Sequence, residues 1–279
     1  MVQQASIKTE QYYGRELKIY EEGFQNLHEI LDQRVKQFPD KEMIVIGEER
    51  ITYSQFHTLV QNVAGNLQDK YDFQKGDKLA ILSHNSLEFC VMLFATSTLG
   101  GIFVPLNTRH QPPELLYMLQ DSNSKVIVVE DVLYGNLEKA LEKTNLKLEI
   151  LQFSTKNRNQ NNTFSALFNT AEPIDPPEVK VTDPLFIMYT SGTTGKPKGA
   201  LGTHLGITQN LVNFNRYLGT NENDRCLISV PLFHVTGIVA SLTHMVYVGG
   251  TSIIMYQFKT NDFIELLEKE PFLQFIYSY

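Results

Sequence analysis

The chain alternates short apolar runs with segments of helical spacing, and turn residues punctuate both. Leu27, Ile30, Leu31, Val35 and Phe38 fall on one face of a helix over 26–38, which Pro39-Asp40 would end. Residues 43–46 and 51–53 read as a short hairpin around Gly47-Glu48. Ser54 is the expected N-cap of a helix over 55–68, where Phe56, Leu59, Val60, Val63, Ala64 and Leu67 recur at helical spacing. An apolar strand at 78–82 follows, then a mostly apolar helix at 87–99 opened by Asn85 or Ser86, and a buried strand at 102–104. A helix from Pro112-Pro113 to Gln120 and an apolar strand at 125–129 complete the series. Continuous apolar strands alternating with helices predict the α/β class, with a mostly parallel sheet covered on both faces.

Beyond this, 148–153 adds a strand, 154–162 is a polar loop, and 173–184, with four prolines, is an extended linker. Residues 205–217 read as a helix and 226–230 as a strand. Two stretches, 89–106 and 235–256, contain no Asp, Glu, Lys or Arg, which raises the question of a membrane span. The first is broken by Thr96-Ser97-Thr98, Gly100-Gly101 and Pro105, the second by Gly237, His244 and Gly249-Gly250. Each is expected to be a buried helix, a glycine turn and a buried strand in series.

With 279 residues, 42% of them hydrophobic, the chain can bury a sizeable core in one or two domains. Its net charge of −7 offers no broad attraction to nucleic acid or anionic lipid. Cys90 and Cys226 both lie beside apolar residues and are expected to be buried thiols, with no Cys/His cluster suggesting zinc. Residues 1–22 hold no apolar stretch of signal-peptide type, so a cytoplasmic location is expected, and Asn161-Asn162-Thr163 is a chance match to a glycosylation acceptor.

The chemistry concentrates in Tyr189-Thr190-Ser191-Gly192-Thr193-Thr194-Gly195-Lys196-Pro197-Lys198-Gly199, directly after the apolar run Leu185-Phe186-Ile187-Met188. Glycines let several backbone N–H groups converge on one anion, hydroxyls donate to phosphate oxygens, and lysines add charge. The P-loop of nucleotide hydrolases is excluded, because Gly195-Lys196 is followed by Pro197 and Thr190 stands where its first glycine belongs. Pro197 and Gly199 also argue against a helix starting at the lysine. No dinucleotide fingerprint occurs. A plain surface turn is the rival reading, but threonine-rich turns seldom carry two lysines at this spacing.

This run resembles the phosphate-binding signature of the adenylate-forming superfamily, which comprises acyl-CoA synthetases, luciferases and peptide-synthetase adenylation domains. Residues 40–53, 76–121 and 230–237 are similar to further segments of that family, in family order, so that the likeness covers most of 26–269. The resemblance implies a large N-terminal domain over 26–269, preceded by an extension at 1–25. It implies ATP-dependent attack of a carboxylate on the α-phosphate, giving acyl-adenylate and pyrophosphate, then transfer of the acyl group to coenzyme A. Thr190, Ser191, Gly192, Thr193, Thr194, Gly195 and Lys198 would line the triphosphate, with Lys198 preferred to Lys196, and Mg²⁺ would bridge the phosphates.

Pro231-Leu232-Phe233-His234-Val235-Thr236-Gly237 resembles the second signature, which borders the carboxylate and thiol pocket. His234 is the candidate catalytic or substrate-orienting residue, weighed against an ordinary core histidine at a strand end. His204 is read as structural, His244 as core or pocket wall, and Arg109, in a further family-like segment at 105–109, as a surface residue with no catalytic role. A fatty acid is the default substrate, because Ile238, Val239, Ala240 and Leu242 after His234 are apolar.

Departures from the family pattern are also expected. Family members continue into an adenine- and metal-binding Tyr-Gly-x-Thr-Glu segment, a ribose-binding aspartate and a C-terminal domain with a catalytic lysine, and no counterpart occurs here. Residues 270–279 read as an out-of-pattern tail. The expectation is therefore an incomplete domain, inactive and poorly soluble by itself, whose missing half could be supplied in trans. A non-catalytic nucleotide-binding remnant and a peptide-synthetase-type adenylation domain are the competing readings.

Overall fold

The computed structural model describes residues 6–142, 144–155, 164–190 and 196–270, together with the backbone of 273–274. In chain order the elements are β1 (Ile7–Tyr12), β2 (Arg15–Tyr20), α1 (Leu27–Gln37), β3 (Glu42–Ile46), β4 (Glu49–Thr52), α2 (Tyr53–Tyr71), β5 (Lys78–Leu82), α3 (Leu87–Thr98), β6 (Ile102–Leu106), α4 (Pro112–Ser122) and β7 (Val126–Glu130). They continue with α5 (Tyr134–Leu141), β8 (Glu149–Phe153), β9 (Pro184–Thr190), β10 (Lys198–Thr203), α6 (His204–Leu218), β11 (Arg225–Ile228), α7 (His244–Val248), β12 (Thr251–Ile254), α8 (Thr260–Lys269) and β13 (Leu273–Gln274).

Two sheets organise these elements. The first has the order β10-β9-β6-β5-β7-β8, parallel throughout except for the antiparallel pair β9–β10. The second has the order β13-β11-β12-β3-β4, parallel except for the hairpin β3–β4. Side chains alternate between two covered faces, which is why the strands of the first sheet from β5 to β7 have apolar central runs. In the first sheet Leu79, Ile81, Phe103, Val126 and Val128 face α2 and α3, while Ala80, Leu82, Val104, Leu106, Ile127 and Val129 face α4 and α5. In the second, Ile44, Cys226, Ile228 and Ile254 join the main core, and Val45, Leu227, Ile253 and Met255 meet Phe263 and Leu266 of α8.

Helix α3 is buried along its whole length, Glu88 in its first turn included, and no helix among the described residues is long and apolar enough to cross a membrane. Both cysteines are buried and free, and burial pushes both thiols up, Cys226 to about 12.

Three differences from the sequence reading have physical causes. Helix α2 starts two residues earlier than expected, with Thr52 rather than Ser54 as its N-cap. The Thr52 hydroxyl accepts from the Gln55 N–H, and the Gln55 side chain accepts from the Thr52 N–H, a reciprocal box that outcompetes Ser54. Tyr53 is fully buried, and its hydroxyl donates to Gly250 O at 2.8 Å, which anchors that first turn. At 1–25, read only as an extension, β1 and β2 form a hairpin turned by Tyr13 and Gly14, both at positive φ. Its Tyr20 N–H donates to the Gln209 side chain of α6. Finally, β10 was not foreseen. Its sequence, Lys-Gly-Ala-Leu-Gly-Thr, is an exposed edge strand that lacks an apolar face.

Candidate active site

The phosphate-binding run sits at the tip of the β9–β10 hairpin. Its central residues, Ser191, Gly192, Thr193, Thr194 and Gly195, lie outside the described residues. The two ends are well defined: Thr190 and Lys198 are cross-strand partners, and both are exposed. The loop therefore joins antiparallel strands, and no helix starts at the lysine. Lys196 places its ammonium 5.5 Å from the centroid of the Tyr117 ring of α4, a cation–π contact that occupies it locally. The last turn of β9 is tied to the same helix, where the Tyr189 hydroxyl donates to the Asp121 carboxylate at 2.7 Å.

Two glycines of β10 serve packing. A Cβ on Gly202 would lie 2.3 Å from the Phe186 ring, and one on Gly199 would lie 2.8 Å from Ile187 Cγ2. Only bare backbone lets these side chains cross the neighbouring strand.

The second motif forms the turn after β11. Leu232 is fully buried, whereas His234 is exposed. The His234 N–H donates to Pro231 O at 3.1 Å, and its own carbonyl accepts from the Ile238 N–H at 3.0 Å. Gly237 approaches so closely that a Cβ there would sit 2.4 Å from Pro231 O, so the turn requires glycine at this point. The chain then enters a π-helical segment, Thr236–Thr243, a widened geometry often found at functional sites.

A cavity of about 310 Å³ lies between the β9–β10 strands that flank the first motif and the end of the second. Phe186, Gly202 and Thr203 of the hairpin form one wall, Gly206, Ile207, Asn210 and Phe214 of α6 a second, and Val235, Thr236, Val239 and Ala240 the third. The structure thus brings the two candidate segments to one cavity. The side chains of Thr190, Lys198 and His234 stand at its neighbouring segments and not in its lining. His204 and His244 are buried in the packing: His204 accepts from the Leu27 N–H through Nδ1, and His244 Nε2 is 2.7 Å from Thr220 Oγ1. Burial lowers both imidazoles to about 4. Arg109 is exposed on the turn after β6.

Sequence reasoning missed the cavity-lining face of α6. Thr203, Gly206, Ile207, Asn210 and Phe214 share a helical face, which spacing shows, but nothing in the spacing says that a cavity covers it. It also missed a polar network at the carboxyl ends of the parallel strands. There His84 Nδ1 lies 2.8 Å from the buried Glu130 carboxylate, which accepts from the Tyr256 hydroxyl at 2.6 Å and the Thr155 hydroxyl at 3.1 Å. Burial would raise the Glu130 carboxyl, but the bonds from His84 and Tyr256 outweigh it and hold it below the ordinary value.

Residues 31–275, which include this hairpin and turn, match the family model described as AMP-binding enzyme. The chain belongs to this family of AMP-binding, adenylate-forming enzymes. It is 32% identical over 231 residues to the long-chain-fatty-acid–CoA ligase FadD13 of Mycobacterium tuberculosis, an alignment covering 79% of this chain and 43% of FadD13. Among solved structures, the inhibitor-bound N-terminal domain of FACL13 from M. tuberculosis is 28% identical with a TM-score of 0.76, covering 88% of this chain and 61% of that one. The o-succinylbenzoate coenzyme A synthetase MenE of Bacillus subtilis, in complex with AMP, is 25% identical with a TM-score of 0.76, covering 91% of this chain and 49% of that one. The chain spans less than half the length of FadD13.

The residues fit a nucleotide at the hairpin in their donor set, a threonine hydroxyl and a lysine ammonium exposed at the two ends of a glycine-rich loop. Among the described residues no group of three His, Cys, Asp or Glu side chains is placed to hold a metal ion.

Proposed function

We propose that this chain provides the phosphate loop and acid pocket for ATP-dependent activation of a carboxylic acid, a fatty acid by preference, and its transfer to coenzyme A. The observation that carries the reading is the single apolar-walled cavity shared by the phosphate-loop hairpin and the His234 turn. In the proposed reaction a carboxylate oxygen attacks the α-phosphorus while the bond to pyrophosphate breaks. Lys198, Thr190 and the amides of 191–195 offset the charge that develops on the departing pyrophosphate. Any Mg²⁺ would be carried by the nucleotide phosphates. In the second step the thiol sulfur attacks the acyl carbon, AMP leaves, and the thiol proton passes to solvent. His234, exposed at the cavity edge, orients the carboxylate.

The fatty-acid preference rests on the walls of Phe186, Ile207, Phe214, Val239 and Ala240, which offer mostly apolar surface to a chain. Thermal-shift and calorimetric titration of the purified chain with ATP and with a fatty acyl sulfamoyl-adenosine test the reading. Binding of both is expected, and binding of neither refutes it. Substrate-dependent ATP–pyrophosphate exchange above a Lys198→Ala control would show turnover by the chain alone.

A further inference from the structure

The two motifs lie on different sheets, and a side chain of the first sheet reaches the second beside the His234 turn. Asn85 sits in the turn between β5 and α3 and is 4% exposed. Its Nδ2 donates to Val230 O and to Met255 O, each at 2.9 Å, and its Oδ1 accepts from the Leu232 N–H at 2.7 Å. Val230 and Met255 follow the carboxyl ends of β11 and β12, and Leu232 begins the turn that carries His234. One amide therefore fills three of its four bonding positions with backbone groups of the opposite sheet.

The turn that holds Asn85 is itself rigid. Ser83 Oγ donates to His84 O at 2.6 Å, and Ser86 Oγ accepts from the Phe89 N–H at 3.1 Å. The preceding residue reaches the same place, since His84 Nδ1 is 3.0 Å from the Tyr256 hydroxyl. Residues 84 and 85 thus clasp residues 255 and 256 across the sheets.

The geometry points to Asn85 as a positioning residue that sets the His234 turn at a fixed distance from the phosphate-loop hairpin, and this role rests on the function proposed above. Only a side chain with two donors and an acceptor can satisfy this set. A carboxylate would place oxygen against two carbonyls, and an alkyl group would leave three backbone groups unpaired. Of the proposed contacts, the ATP phosphates use the hairpin on the first sheet, whereas the acyl group of an acyl-adenylate reaches the cavity beside the turn, so acyl-adenylate binding should depend on the clasp more than ATP binding does.

Asn85→Asp, nearly isosteric, tests this with two probes. ATP affinity should stay within about two-fold, while affinity for the fatty acyl sulfamoyl-adenosine should fall roughly ten-fold or more, as expected when buried groups lose their donors. Amide hydrogen exchange at 232–238 should accelerate, with α4 unchanged. Equal losses for both probes, or no loss for either, would overturn the positioning role while leaving the ligase reading intact. Failure of the unsubstituted chain to bind either probe would instead sink the ligase reading and the role together. Should Asn85→Asp not fold, the unsubstituted protein still decides: both Asn85 side-chain N–H protons should exchange slowly, and a rapidly exchanging pair refutes the clasp.

Discussion

Lys198 stands directly opposite Thr190 in the β9–β10 pair, so both ends of the phosphate loop are held at the spacing of paired strands. A loop closed in this way has its ends fixed before a ligand arrives, which reduces the ordering cost of binding.

The two lysines of the loop should therefore behave differently. Lys198→Ala is expected to weaken ATP binding by about ten-fold or more, the range for a charge-assisted contact. Lys196, engaged by the Tyr117 ring, should matter several-fold less when replaced by alanine. Calorimetric titration of both variants, with melting curves as the folding control, checks the difference.

Gly206 faces the cavity, and a Cβ built there meets only Thr203 Oγ1 at 3.6 Å. Space for a larger side chain therefore exists inside the cavity itself. Gly206→Leu should fold normally and shift binding toward shorter acyl chains. A length series of acyl sulfamoyl-adenosines measures this, and an unaltered length profile would place the acyl chain elsewhere.

Gly202 is the opposite case. With the Phe186 ring 2.3 Å from where its Cβ would be, Gly202→Ala must displace the ring or separate the strands. A destabilisation of about 1–3 kcal/mol, typical of overpacking, is expected in urea melts.

His204 and His244 make the fold sensitive to acid. Both are neutral in the folded state down to about 4, against 6.5 ordinarily, because burial disfavours the charged form. The unfolded chain binds protons first, so their stabilising contribution is complete above pH 6.5 and is lost as pH falls from there to 4. The loss is on the order of 2–3 kcal/mol for each. Urea midpoints should drop across this window, and His244→Phe should flatten the drop.

Much of this architecture was legible in the sequence. The uncharged runs at 89–106 and 235–256 resolved into buried helix, glycine turn and buried strand, because no charge had to be kept at the surface. The positions of α1 and α2 followed from apolar spacing, and that of α4 from the prolines that open it. Strand β10 and the β1–β2 hairpin escaped, since edge strands held by backbone pairing carry little side-chain signal. The N-cap shifted to Thr52 because a reciprocal bond with Gln55 is worth more than a lone hydroxyl.

The sequence by itself determined the α/β class, the family to which the chain belongs, and much of the pattern of buried positions, all of which are carried by local motifs and spacing. Only the tertiary structure decided that Phe186, Gly202 and Thr203 share one cavity with Val235, Thr236, Val239 and Ala240, and that Asn85 joins sheets through residues 145 to 170 positions away. These outcomes follow from how two twisted sheets pack their carboxyl ends together. That packing is a long-range balance of apolar burial and backbone pairing, and local spacing carries no record of it.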